Sequence, residues 1–132
     1  MTGVQTCALP ICERLSVSEI AAIPDATLSS GNLKSLARGS TWSRYGALVG
    51  AVNRIRGYGD FLHYHLLAAG KIDAVLESDV NILDIAALAV IVEEAGGKFT
   101  DLSGRAVGFD TTTVLATNGL LHGPILEALQ YG

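Results

Sequence analysis

Asp84 is the residue whose surroundings most clearly suit it for chemistry. It opens the apolar run of Asn81–Gly97, NILDIAALAVIVEEAGG, which closes on two acids and a Gly-Gly pair. Leu83, Ile85–Val92 and Ala95 leave almost no polar face. Such a run, stopped by Gly96-Gly97, predicts a buried helix with a glycine C-cap. A helix that is apolar all round is expected to be covered on several sides. Asp84 then falls in the first turn, where unpaired N–H groups and the macrodipole favour negative charge. A carboxylate at the mouth of a buried helix is a natural metal ligand. The same position suits an acid that only complements the dipole, and one carboxylate alone cannot hold a hard cation that wants several oxygens.

A second candidate is the stretch Arg54-Ile55-Arg56-Gly57-Tyr58-Gly59-Asp60-Phe61. Gly57 and Gly59 free the backbone at a strand-to-helix corner, where N–H groups can meet an anion or a hydroxyl. A G-x-G corner also serves simply as a tight turn. Arg54 and Arg56 form a small basic cluster that suits a structural or anion-contacting role. The three histidines do not make a metal set. His63 and His65 are two apart on a predicted helix and point in different directions, and His122 lies near the start of the last helix. A solvated or core role is expected for each.

These residues must be carried by alternating elements. Ala26–Ser29 predicts a short edge strand ending at Ser30-Gly31-Asn32. Ser40-Thr41 caps a predicted helix over Trp42–Ile55, in which Trp42, Tyr45, Val49 and Val52 recur at helical spacing and Trp42 is assigned to the core. A strand through Ile55 ends at Gly57, and a helix runs from Asp60 to Ala69. Strand Ile72–Glu77 follows, then a loop with Asn81 as N-cap of the Asp84 helix. Strands at Lys98–Asp101 and Thr113–Thr117 precede a last helix over Leu120–Leu129. Helix and strand alternate throughout, so the class is α/β.

The 132 residues are 49% hydrophobic and 17% charged, with mean hydropathy +0.39. That is apolar for a small domain and fits helices packed on both faces of a sheet, or a piece that has lost a partner surface. No run approaches the ~18 apolar residues of a membrane span, so no membrane is expected as a partner. A net charge of −4 argues against a general nucleic-acid surface. Residues 1–11, MTGVQTCALPI, resemble the translation of a sequencing adapter. They are expected to be a non-native segment, with a C-terminal α/β domain of a truncated protein over 12–132. Cys7 lies within that segment and Cys12 at its edge, so neither argues for a disulfide or a zinc site. The cysteine-free remainder fits a reducing compartment, the cytoplasm.

The segment Leu83-Asp84-Ile85-Ala86-Ala87 followed by Val90-Ile91-Val92-Glu93-Glu94-Ala95-Gly96-Gly97 resembles a signature of the inositol monophosphatase superfamily, W-D-x-A-A/G-x-x-x-I/V-I/V-x-E-A-G-G. Leu83 replaces the usual Trp. The resemblance runs from roughly Arg54 to Leu129 through Ala69-Gly70-Lys71-Ile72-Asp73, Glu77, Thr100-Asp101, Gly104 and Ala116-Thr117-Asn118. It implies the C-terminal half of a layered fold, with a mixed sheet and helices on its faces. It further implies a Mg2+-dependent phosphatase in which Asp84 ligates the metal and Glu77 contacts a substrate hydroxyl or amine. Gly57-Tyr58-Gly59-Asp60-Phe61 and Ala116–His122 are similar to the histidinol-phosphatase branch, where an added acid, Asp60, suits a cationic leaving group. Asp60 also suits a simple helix cap. On this resemblance Arg56, Tyr58, Gly59, Asp60 and Glu77 are the substrate-binding candidates, with a small phosphorylated substrate as partner and a homodimeric parent. The Glu-bearing helix and D-P-x-D-G-T motif that supply most metal ligands in the family are not in this sequence. The fragment alone is therefore expected to be inactive and prone to aggregate. Inositol or other sugar and nucleotide phosphates remain alternative substrates, and a non-catalytic α/β binding module remains an alternative of another class.

Overall fold

Three parallel strands organise the fold. In the computed structural model of the chain, which describes residues 4–5 and 14–131, Val4–Gln5 (β1) and Arg14–Leu15 (β2) form a small antiparallel ladder. Apart from Val4–Gln5, the segment read as non-native lies outside the described residues. The main sheet contains Thr27–Ser30 (β3), Arg54–Arg56 (β4), Ala74–Ser78 (β5), Lys98–Thr100 (β6) and Thr113–Thr117 (β7) in the order β4-β3-β5-β7-β6. Strand β3 pairs in parallel with β4 on one side and β5 on the other. Strand β7 then adds antiparallel to β5 and β6. The sheet is mixed, as expected.

The helices are Leu33–Ala37 (α1), Trp42–Ala51 (α2), Leu62–Ala68 (α3), Ile82–Glu94 (α4) and His122–Tyr131 (α5), with a 3-10 turn at Ile23–Asp25. Alternation along the strands divides the core in two. Ala74, Leu76 and Leu115 pack with Tyr45 and Leu48 of α2, with Leu121 just before α5, and with Ile125 and Leu129 of α5. Val75, Val114 and Ala116 point the other way, onto Tyr64 and Leu67 of α3 and Ile85, Leu88 and Val92 of α4. The period-2 pleat thus buries both faces of the central strands, giving a helix–sheet–helix sandwich.

Local signals fix the ends of α4. Asn81 caps it, its Oδ1 accepting the Leu83 N–H at 2.8 Å. At the other end Gly96 is left-handed (φ +99°), with Gly96 N–H bonded to Glu93 O at 3.0 Å and Gly97 N–H to Val92 O at 2.9 Å. This is the six-to-one and five-to-two bond pair of a Schellman stop.

Four expectations are corrected by tertiary structure. Strand β3 is interior rather than an edge, because the chain after it crosses back twice and supplies a parallel neighbour on each side. Its serines look like edge residues, yet Ser29 and Ser30 are buried and bonded to His63 and Tyr45. Trp42 is 42% exposed and stands at the outer edge of α2, whose core contacts come from Tyr45 and Leu48. Helix α2 stops at Ala51, and β4 takes up the chain at Arg54. Helix α4 is covered on one side only: Ile85, Leu88 and Val92 are buried, whereas Leu83 is 87% and Val90 58% exposed.

Candidate active-site cleft

Parallel strands end together, so the loops after β3, β4 and β5 gather on one edge of the sheet. Crevices outside the carboxyl ends of parallel strands are where α/β folds bind ligands. Here that edge carries every non-glycine residue with positive φ among the described residues: Asn32 (54°) after β3, Asp60 (50°) after β4 and Asp79 (57°) after β5. Asn and Asp tolerate this conformation better than other side chains. Asn32 also approaches Asp79, its Nδ2 donating to Oδ2 at 3.4 Å.

A cleft of about 490 Å³ opens at this edge, lined by Asp60, Phe61, Tyr64, Glu77, Asp79, Val80, Asp84, Ile85 and Leu88. Four of these are carboxylates and none is Lys or Arg. Asp60, Glu77 and Asp84, chosen from the sequence, are thus brought together. The remaining candidates are placed elsewhere. Arg56 lines a separate cavity with Trp42, Tyr45 and Ile55, and its Nη1 donates to Ile55 O at 2.8 Å. Tyr58 is exposed, and its N–H donates to Ser29 Oγ at 3.2 Å. Gly59 turns the corner with φ +69° and faces open space. Asp60 does not cap α3; Phe61 occupies the cap position and no side chain bonds there.

Glu77 is the most constrained of the acids. Its Oε1 accepts the Tyr64 hydroxyl, and His63 Nε2 lies 3.5 Å from the same oxygen. A Cβ on Gly31 would lie 2.4 Å from Oε2, so the carboxylate rests directly on that glycine. Burial, reinforced by the hydrogen bond to Glu77 and its charge, pushes the Tyr64 phenol far up. It therefore stays protonated and donates. Tyr64 and Asp79 line the cleft, and His63 and Gly31 lie against Glu77, yet motif reading did not select them. Only Asp79, an acid two residues past Glu77, had a signal in the local sequence.

Asp84 stands in the first turn of α4, exposed at the cleft rim. Among the described residues no three His, Cys, Asp or Glu side chains converge as a metal-binding group. Magnesium demands near-octahedral oxygen donors, so these residues do not by themselves make a magnesium site. Asp73, the acid of the A-x-G-x-x-D motif, serves the fold instead. It is buried, accepts the Thr27 N–H at 2.7 Å and bonds the Ser18 hydroxyl at the opposite edge of the sheet. Among the described residues, no helix is long and apolar enough to cross a membrane.

Comparison with known proteins agrees with this architecture. The sequence model of the inositol monophosphatase family matches residues 5–131. A histidinol-phosphatase of Mycobacterium tuberculosis is 44% identical over 119 residues, covering 90% of this chain and 45% of that protein. The histidinol-phosphatase of Streptomyces coelicolor is 37% identical over 128 residues, covering 92% and 46%. The solved structure of the extragenic suppressor protein suhB from Bartonella henselae superimposes with TM-score 0.81 at 28% identity, covering 90% of this chain and 46% of that one. An IMPase from Thermotoga maritima gives TM-score 0.75 at 29% identity, covering 89% and 45%. The chain spans about half the length of the relatives it matches. It belongs to the inositol monophosphatase family.

Proposed function

We propose that the chain carries the substrate-recognition side of a phosphomonoester hydrolase acting on L-histidinol phosphate, releasing L-histidinol in histidine biosynthesis. The observation that carries this reading is the charge of the cleft: four carboxylates and no cation around about 490 Å³. Such a cleft favours a leaving group bearing an ammonium and an imidazole over a neutral polyol. A unit charge pair at 4 Å is worth about 1 kcal/mol in water and about 4 kcal/mol near a protein surface. Phe61, Val80, Ile85 and Leu88 give the same cleft apolar walls for a ring.

Each residue has a task in this scheme. Glu77, held by Tyr64, accepts from the substrate's ammonium or hydroxyl. Asp60 adds a second negative charge at the mouth. The Gly57–Gly59 corner carries the chain to Asp60 at that mouth, while Arg56 and Tyr58 lie outside the cleft lining and are given no substrate contact. Asp84 is proposed as one carboxylate ligand of Mg2+, whose other ligands belong to the part of the longer relatives that this chain does not span. The exposed face of α4 at Leu83 and Val90 is then the surface on which that part packs. The parent enzyme is proposed to be a cytoplasmic homodimer.

The test is to extend the reading frame upstream of the codon for Cys12, express the whole protein, and compare turnover of L-histidinol phosphate with inositol 1-phosphate. Preference for histidinol phosphate supports the assignment, and equal or better turnover of the inositol ester overturns it. Metal-dependent turnover by residues 12–132 alone would contradict the division of labour proposed for Asp84.

A further inference from the structure

His63 is fully buried on α3, and its Nε2 is the buried side-chain polar atom without a hydrogen-bond partner among the described residues. An orphaned ring nitrogen in a core is costly unless it has a use. Its surroundings define one. On one side Nδ1 meets Ser29 Oγ at 3.1 Å, and that oxygen also accepts the Tyr58 N–H at 3.2 Å. On the other side Nε2 faces Glu77 Oε1 at 3.5 Å.

The proton positions follow from these contacts. With the Tyr58 N–H filling one lone pair of Ser29 Oγ, the Ser29 hydroxyl is free to donate to Nδ1. The ring proton then sits on Nε2 and points at a carboxylate oxygen. The opposite tautomer would set a bare nitrogen lone pair against Glu77. The 3.5 Å gap lies just outside a hydrogen bond, and Glu77 is at the end of a flexible side chain whose Oε2 is stopped by Gly31.

We infer that His63 is a positioning residue for Glu77: its Nε2–H closes on Oε1 and, together with the Tyr64 hydroxyl, aims the carboxylate into the cleft. The chain Tyr58 N–H, Ser29, His63, Glu77 thereby ties the glycine corner after β4 to the acid at the end of β5. A ligand that draws Glu77 forward pulls on the same chain that fixes the corner. The inference deepens the substrate-recognition reading and rests on it only for the ligand, since the hydrogen-bond arrangement belongs to the chain itself.

Two experiments separate the two layers. The first is nitrogen-15 NMR of the imidazoles in the 1–132 chain. A protonated Nε2 and bare Nδ1 at His63, with the Nε2–H signal shifted by Glu77→Gln and the tautomer mixture altered by Ser29→Ala, are the expected results. An Nδ1–H tautomer, or signals indifferent to Glu77→Gln, overturns the inference. The second is steady-state kinetics of the whole protein. His63→Leu should raise KM for histidinol phosphate about tenfold with kcat nearly unchanged, and His63→Gln, whose amide N–H reaches toward the Nε2 position, should recover most of the loss. Equal KM values in the wild type and His63→Leu overturn it. If the whole protein prefers inositol phosphate, the substrate assignment falls while the NMR result still decides the role of His63.

Discussion

Gly31 and Glu77 touch so closely that no side chain fits between them. A Cβ at Gly31 would stand 2.4 Å from Oε2 and 3.0 Å from the Glu77 carboxyl carbon. The glycine is the floor on which the Glu77 carboxylate lies, at the point where β3 ends and the Gly31 N–H bonds Leu76 O at 2.9 Å. Its φ is not left-handed, so backbone freedom is not the reason for glycine here. Gly31→Ala should therefore fold, with stability within about 1 kcal/mol of the wild type, because the group that must move is the end of a flexible side chain. It should displace the Glu77 carboxylate and raise KM for histidinol phosphate about tenfold in the whole protein. An unchanged KM would show that Glu77 has another way to sit.

Gly97 contrasts with Gly31. A Cβ there would meet Thr117 O at 2.4 Å and Val92 Cγ1 at 2.8 Å. The first of these is backbone in the strand ladder and cannot step aside. Gly97→Ala should cost about 3 kcal/mol, read as a lower midpoint in urea, whereas Gly31→Ala should not. Comparable costs for the two would mean that the stop of α4 is not packed against β7 as described.

His122 ties stability to pH. It is 1% exposed. Thr100 Oγ1 already donates to Asp101 O at 2.8 Å, so His122 Nε2–H donates to Thr100 at 2.7 Å. Thr117 Oγ1 accepts the Gly119 N–H at 3.0 Å and donates to Nδ1 at 2.9 Å. Every lone pair and proton is used by the neutral ring. Burial, with Lys98 nearby, pushes its pKa down to about 4. The unfolded chain takes up this proton near pH 6.5 and the folded chain does not, so stability falls as pH drops from about 6.5 to about 4 and levels off below. The loss is on the order of 3 kcal/mol from this residue. Urea titrations at pH 7 and pH 4.5 should show it, and His122→Gln should reduce the difference. No reduction would assign the acid sensitivity to other groups.

What was legible in the sequence follows the range of the forces involved. Asn81, Gly96 and Gly97 announce both ends of α4 because capping acts within a few residues. Thr113–Thr117 is exact because a β-branched run between turn signals has few other uses. Trp42 and β3 escape such reading for the opposite reason. Whether Trp42 is covered, and whether β3 has one neighbour or two, depends on chain more than ten residues away. The cleft shows the same split. Asp60, Glu77 and Asp84 stand out by motif, but Ser29 and His63 meet across 34 positions, and nothing near Gly31 says that Glu77 will lie on it.

The outer face of α4 makes the last prediction. Leu83 and Val90, one heptad apart on the helix, are 87% and 58% exposed, with Ala86 and Ala87 open between them. Phe61 at the cleft mouth is 65% exposed. Contiguous exposed apolar surface of this kind favours association. The 1–132 chain should self-associate as its concentration rises and should bind the dye ANS while retaining native far-ultraviolet circular dichroism. Leu83→Glu with Val90→Lys should keep it monomeric at concentrations where the wild type associates, with stability within about 1 kcal/mol, because neither side chain contributes to the core. In the whole protein the same pair should be destabilising, since the face is then proposed to be covered and two charges would be buried without partners. Sedimentation velocity on the short chain and thermal unfolding of the long one check the two arms. A double variant that leaves the whole protein as stable as wild type would show that this face remains open to solvent there.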